Sequence, residues 1–272
     1  MRSLQIALFG LVLAATSGAQ TGPLFPEPFQ VEHHLVQDDG DGTRFTGEPV
    51  VDTYGGSWIV SQRLDGSRMI VDLERREMTE VRPSDGTYWT VSFDRFAELQ
   101  TRLRAAQGLA KPEDPKKAAV AASSVVVTEV QGEMRSAAGL SAKAGVRRLQ
   151  VAQGGARALE VWVDPSVRLT SAALSAMDAL ESAASGRRED APGRLLAAAR
   201  SHAAGAVPVR TVRPLAASGQ VEDVTTRLER LEKFPGELIQ IPEGLRRIPH
   251  PLEAAVRFLE EDAERNAAMA AQ

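Results

Sequence analysis

Residues whose types could support chemistry are few in this chain, and an acidic run is the most conspicuous. The run Asp38 to Gly42 (DDGDG) has the carboxylates and glycines of a calcium-binding loop. The EF-hand register fails, because a loop that starts at Asp39 places Val50 where a bidentate glutamate belongs. Asp and Gly are also common turn residues, so we interpret the run as an acidic hairpin or loop.

The histidines form no metal-binding motif. His33 and His34 are adjacent, and adjacent residues in a strand point to opposite faces. His202 and His250 are isolated from each other and from this pair, so the spacings of common zinc sites do not occur. The sequence therefore predicts no metal site.

Motifs for nucleophilic catalysis and for phosphate binding are also missing. The chain contains neither a G-x-S-x-G elbow nor an S-x-x-K motif, and Gly154-Gly155 lacks the further residues of a phosphate-binding loop. We therefore predict a non-enzymatic protein without a cofactor. An exported hydrolase that uses Ser141, His202 and His250 is kept as a third hypothesis, because catalytic triads need not be local in sequence.

The first nineteen residues predict export. Arg2 precedes an apolar run from Ile6 to Ala15, and Ser17-Gly18-Ala19 supplies a small-x-small cleavage pattern before Gln20. The apolar run is too short to span a bilayer, and no later segment resembles a span. We predict a signal peptide at 1–19, cleavage near Ala19-Gln20, and a periplasmic or secreted mature chain without a transmembrane span.

The composition narrows the set of partners. The chain has no cysteine, which excludes disulfides, thiolate metal sites and a lipidated cysteine anchor. The formal net charge is -4, and it becomes -5 when Arg2 is removed with the signal peptide. This mild acidity argues against nucleic acid and against docking on anionic lipid.

Alternation of apolar and polar residues predicts a β-sheet in this chain. Residues 20–55 are rich in Pro, Gly, Asp and Gln, so we expect a leader with turns or one weak strand there. From Gly56 the alternation predicts strands joined by short turns, including a PSDG turn at 83–86. The expected strands are 58–64, 68–73, 87–91, 124–130, 146–151, 157–163 and 207–212. Residues 221–231 fit either a strand or a helix.

Helical spacing interrupts the strands. Ser92 has the character of an N-cap, and the helix that it begins should close at Gly108. Two alanine-rich helices are expected within an insertion at 171–204, and a C-terminal helix at 251–270. The order of elements predicts a single α+β domain over 56–272, with one antiparallel sheet interrupted by helices.

Apolar side chains on the strand faces allow two interpretations. They can form a core beneath the helices, which is the usual role of such residues. They can also line a cavity for an apolar ligand if the helices do not fill the sheet face. The candidate cavity residues are Trp58, Val60, Met69, Val71, Leu73, Trp89, Val91, Val161 and Val163.

Several short segments resemble, in the same order, those of exported bacterial proteins grouped as domain of unknown function family 4412. The longest is 65–96 (DGSRMIVDLERREMTEVRPSDGTYWTVSFDRF). The others are AGVRR at 144–148, EVWV at 160–163, VPVR at 207–210 and IPEGL at 241–245. The chain departs from the pattern at Val146 and Leu245, where aromatic residues are common, and in the helical insertion at 171–204.

The resemblance implies a fold like the periplasmic lipoprotein carriers (LolA/LolB-like), with a curved antiparallel sheet, or half-barrel, covered by a few helices. It favours a strand at 221–231 and implies a hydrophobic cavity without catalytic residues. We therefore expect a lipid, a lipoprotein acyl chain or another apolar ligand between sheet and helices. The alternative is an envelope structural or protein-interaction module with a fully packed core and no ligand.

Overall fold

A computed structural model describes residues 22–107, 125–130, 146–153, 156–185, 192–215 and 219–270. The predicted signal peptide, most of the connection that follows the first helix, and Ser141 lie outside the described residues. No helix in the described ranges is long and apolar enough to cross a membrane.

Within the described ranges, thirteen strands form one open sheet. They are β1 (Phe25–Asp38), β2 (Arg44–Thr46), β3 (Val50–Gly56), β4 (Trp58–Gln62), β5 (Arg68–Asp72), β6 (Glu77–Arg82), β7 (Thr87–Ser92), β8 (Val125–Val130), β9 (Arg147–Gln153), β10 (Ala156–Arg168), β11 (Ala206–Pro214), β12 (Gln220–Arg230) and β13 (Arg246–Arg247). The order across the sheet is β13-β7-β6-β5-β4-β3-β1-β12-β11-β10-β9-β8, and β2 also pairs with β1. The β13–β7 pair is parallel and the other pairs are antiparallel.

The described helices are α1 (Phe93–Ala106), α2 (Ser171–Ser185), α3 (Pro192–His202) and α4 (Pro251–Ala270). Helix α1 packs on α2 and α4, and α3 packs on α2 and β10. Ser92 caps α1 by accepting a hydrogen bond from the Arg95 amide at 3.2 Å. The predicted α+β class, with a curved antiparallel sheet and a few helices, is confirmed, and the ambiguous segment 221–231 forms the strand β12.

The sheet begins at Phe25, so the expected leader over 20–55 is wrong. This segment contains β1, β2 and β3, and β1 lies between β3 and β12 within the sheet. Pro26 and Pro28 made the segment look irregular, because proline cannot donate a ladder hydrogen bond. The structure places both prolines in a stretch between Phe25 and Phe29 where the register with β3 shifts. The prolines therefore mark an irregularity within a core strand.

The acidic run forms the predicted hairpin loop between β1 and β2. Asp38 Oδ1 accepts a hydrogen bond from the Gly40 amide at 2.9 Å, and Asp41 Oδ1 accepts one from the Thr43 amide at 2.8 Å. These carboxylates hold the turn itself, which is a common role for aspartate.

Candidate functional site

The nine candidate residues from the sequence do not lie together. Five of them lie on the helix-side face of the sheet and belong to one core cluster or its rim, where Val71 is 6% exposed and Trp89 is 5% exposed. These five are Met69, Val71, Leu73, Trp89 and Val91. The Trp89 indole Nε1 donates a hydrogen bond to Glu80 Oε2 at 2.8 Å.

Trp58 and Val60 lie on the opposite face of the sheet. Val60 is paired with Ile70 across β4 and β5, whereas Ile59 is paired with Val71, and side chains alternate between faces along a strand. Val60 and Ile70 pack beneath the C-terminal segment that contains Phe234, Leu238, Ile239 and Leu245. The alternation of apolar and polar residues therefore did not show which of the nine candidates lie on the same face of the sheet.

Val161 and Val163 form part of a third cluster on β9, β10 and α3. Both valines are 0% exposed, and they pack near Leu195 and Ala199 of α3. In this cluster the helix fills the sheet face.

A cavity of about 110 Å³ lies between the sheet and helices α2 and α3. None of the nine candidates is among its lining residues. Its apolar wall is formed by Phe29, Val31, Leu169, Met177, Leu196, Val207, Pro208 and Val209, and its polar residues are His33, Asp52, Tyr54, Arg200, Arg210, Thr211, Asp223 and Thr225.

Two further hollows adjoin this cavity. One of about 220 Å³ shares Leu196, Thr211 and Asp223 with it. Another hollow of about 310 Å³ shares His33 and Asp52 with the cavity and extends along the sheet to Met69 and Glu80. Of the nine candidates, Met69 lines this hollow. The three spaces follow the helix-side face of the sheet.

The end of α3 is held in place by a left-handed turn. Ala204 has φ 52° and Gly205 has φ 78°, and the Gly205 amide donates a hydrogen bond to the Arg200 carbonyl at 2.9 Å. The Leu169 amide donates to the Gly205 carbonyl at 2.8 Å. A Cβ at position 205 would lie 2.4 Å from the Leu169 oxygen, so glycine is required there. This turn fixes Arg200 above the sheet.

His33 lies between two carboxylates on neighbouring strands. Its Nδ1 is 2.7 Å from Asp223 Oδ1 on β12, and its Nε2 is 3.3 Å from Asp52 Oδ2 on β3. The second contact is close enough for an ion pair but too poorly aligned for a hydrogen bond. Burial lowers the pKa of His33, but the hydrogen bond with Asp223 and the charges of Asp223 and Asp52 outweigh burial and raise that pKa to about 10.

This arrangement makes His33 a cation at neutral pH. A charged imidazolium donates at both nitrogens and cannot accept a proton, so His33 is unsuited to act as a general base. The geometry therefore favours an electrostatic and structural role for His33.

Arg200 faces the cavity from α3. It is 9% exposed, and its Nε and Nη1 have no hydrogen-bond partner among the described residues. Across the cavity, Tyr54 donates a hydrogen bond to Asp52 Oδ2 at 3.5 Å, and Asp52 Oδ1 is buried without a partner in the same part of the chain. Burial, together with the charge of Asp52, raises the pKa of Tyr54 well above its usual range.

Of the residues of the third hypothesis, the structure describes His202 and His250. His250 is buried against Trp89 and Phe96, with ring centroids 4.3 and 5.4 Å away, and burial lowers its pKa. His202 is exposed at the end of α3, and Ser141 lies outside the described residues. In the described ranges, no group of three or more His, Asp or Glu side chains is arranged to hold a metal ion.

Sequence reasoning missed the polar residues of the cavity because they come from distant segments. His33 and Asp223 are 190 positions apart. On the sheet side of the cavity, the sequence does indicate the position of His33, because it continues the alternation of Phe29 and Val31. On the helix side, Arg200 follows Leu196 by four residues and therefore lies on the same helix face.

The fold and this cavity define an α+β protein with an open antiparallel sheet and a polar-lined hollow beneath two helices. No family model matches the chain, so the resemblance to family 4412 stays a prediction. No curated protein matches it either.

Solved structures that are similar to the chain include the following three. An uncharacterized conserved protein from Thermus thermophilus is 9% identical, with a TM-score of 0.38, and the match covers 82% of this chain and 91% of that one. A LolA superfamily protein from Nitrosomonas europaea is 9% identical, with a TM-score of 0.31, over 79% of this chain and 90% of that one. PNGF-II is 9% identical with a TM-score of 0.35, and the match covers 83% of this chain but 32% of PNGF-II. These TM-scores are too low to assign this chain a superfamily or a function.

Proposed function

We propose that this chain is an exported, non-enzymatic protein that binds a small apolar or amphipathic ligand between its sheet and helices α2 and α3. The observation that carries the proposal is the cavity beneath Met177 and Leu196, which has an apolar wall on both its sheet side and its helix side. Ligand sites are typically concave and mostly apolar, with a few placed polar groups. The signal-like segment 1–19 supports a periplasmic or secreted location.

The volume of the cavity limits what it can accept. At about 110 Å³ it is smaller than an engineered cavity of about 150 Å³ that binds benzene, so it accepts a small apolar group. A longer chain would continue past Leu196 into the adjoining hollow of about 220 Å³. A lipid or a lipoprotein acyl chain would therefore enter as a single chain along this path, and each buried methylene would contribute about 0.8 kcal/mol.

The test is native mass spectrometry of the mature protein, residues 20–272, purified from a bacterial periplasm before and after solvent extraction. The proposal expects a stoichiometric apolar adduct that is lost on denaturation. A bare mass from well-folded protein, with no recovery of an adduct on incubation with periplasmic lipid extract, would contradict it.

A cavity-filling variant locates the adduct. Leu196→Trp places an indole at the junction of the two hollows and should abolish adduct retention while the protein stays folded. Leu103→Trp is the matched control, because Leu103 is a half-buried leucine on α1 that lines neither hollow. Equal retention by the two variants would exclude this location.

A packed interaction module is the second candidate function. It is favoured by α4, which exposes Phe258 (65%) and Met269 (61%) on a helix otherwise rich in charge. This function predicts a bare mass in the first experiment and a protein partner crosslinked to α4 in the cell envelope.

A further inference from the structure

Arg200 is an unusual helix residue for an apolar setting. It is 9% exposed, yet Nε and Nη1 of its guanidinium have no hydrogen-bond partner among the described residues. Its neighbours along the cavity wall include Met177 and Leu196. A buried cation without hydrogen-bond acceptors is costly, and folded proteins normally pair such groups.

The acidic residues around the cavity do not accept hydrogen bonds from Nε and Nη1 of Arg200. Asp52 and Asp223 both flank His33, and Asp178 of α2 interacts with Arg200 electrostatically. None of the three accepts a hydrogen bond from Nε or Nη1 of Arg200. Their charges balance Arg200 at a distance, but they supply no acceptor oxygen at its free nitrogens.

Oxyanions are the groups that satisfy a guanidinium best. Carboxylate and phosphate oxygens accept charge-assisted hydrogen bonds that are about twice as strong as neutral ones. An amphipathic molecule would also place its apolar part against the remaining wall of the cavity, as mixed apolar and polar sites generally require.

We infer that Arg200 anchors the oxyanion head group, a carboxylate or a phosphate, of an amphipathic ligand whose apolar part packs against Met177 and Leu196. This inference rests on the proposed function and adds the chemical class of the ligand. It also assigns selectivity for that class to one side chain.

Isothermal titration calorimetry with three matched probes tests the inference on the mature protein after solvent extraction. The probes are decanoate, decyl phosphate and decanol, which share the alkyl chain and differ in the head group. At least one oxyanion probe should bind about tenfold or more tightly than decanol, as expected for hydrogen bonds to a charged group. The tighter of decanoate and decyl phosphate identifies the head group.

Arg200→Met keeps the length of the side chain and removes its charge and donors. It should weaken the tighter oxyanion probe by about tenfold or more and leave decanol within about twofold. Arg247→Met is the matched control, because Arg247 is exposed on β13, far across the sheet. The control should leave all three affinities unchanged.

The stability of the ligand-free protein gives an independent readout. If Nε and Nη1 of Arg200 are held without hydrogen-bond partners for binding, Arg200→Met should raise Tm, because it removes a buried charge whose donors are not all satisfied. An arginine with a structural role would instead lower Tm when replaced. Arg247→Met should leave Tm unchanged.

The outcomes separate failure of the inference from failure of the proposed function. If decanol binds as tightly as both oxyanions, and Arg200→Met changes no affinity, the inference is overturned while ligand binding stands. If none of the three probes binds the wild-type protein, both are overturned.

Discussion

The meander β3 to β7 and the half of the sheet formed by β1 and β8 to β12 bury their residues in different ways. In the meander, apolar side chains are buried on both faces: Val60 and Val81 are 0% exposed on one face, and Val71 is 6% exposed on the other. In the other half, the face beneath α2 and α3 encloses a hollow that includes His33 and Arg200. Val60, Ile70 and Val81 come from strands that are neighbours in sequence, whereas the side chains around the hollow come from distant segments.

The truncation of a tryptophan in the meander should have the largest effect. Trp89→Ala should lower the free energy of unfolding by about 3–5 kcal/mol, because it leaves a void beneath α1 and removes the hydrogen bond to Glu80. Urea unfolding measures the effect. Trp58→Ala is the control, since Trp58 is only half-buried on the other face and should lose less than half as much. Equal losses would mean that the meander is not packed as described.

A glycine substitution tests the turn that positions Arg200. Gly66 and Gly205 have nearly the same φ, 79° and 78°, but a Cβ would meet open space at Gly66 and the Leu169 oxygen at 2.4 Å at Gly205. Gly66→Ala should cost about 1–2 kcal/mol from the left-handed backbone alone. Gly205→Ala should cost at least about 1 kcal/mol more, because of the steric overlap. Thermal or urea unfolding of both variants that gives the same loss would contradict this difference.

The pKa values of two histidines, His33 and His250, should be shifted in opposite directions. The pKa of His33 is raised to about 10, so its stabilising contribution is complete below 6.5, its ordinary value, and is lost as pH rises from there to about 10. Burial lowers the pKa of His250, so its contribution is lost as pH falls below 6.5. NMR titration of the imidazole signals measures both, and Asp223→Asn should lower the pKa of His33. A His33 that titrates below His250 would refute the carboxylate pairing.

Local sequence patterns predicted most of the fold. The alternation in RMIVDL, the PSDG turn and the Ser92 cap each concern residues within a few positions of one another, and each is found as predicted. The strand β1 was missed because Pro26 and Pro28 obscured its period, and only pairing with β3 and β12 shows that it is central.

The candidate site was much less predictable than the fold. Alternation indicates that a residue faces one side of a sheet, but it does not show which face a helix covers or fills. Val161 and Val163 pack fully under α3, whereas Phe29 and Val31 line the cavity, although both pairs have strand periodicity. That difference depends on how α2 and α3 dock, and this is a long-range property.

Methyl NMR of the solvent-extracted protein titrated with decanoate tests whether an apolar ligand binds in the cavity beneath α2 and α3. We expect shifts concentrated in the cavity methyl groups of Val31, Met177, Leu196 and Val209, with little change at Val60 and Val81. Saturating shifts confined to the first group would establish that the sheet binds ligand in one half only. Shifts centred on Val60 and Val81, or no saturable shifts, would contradict ligand binding in this cavity.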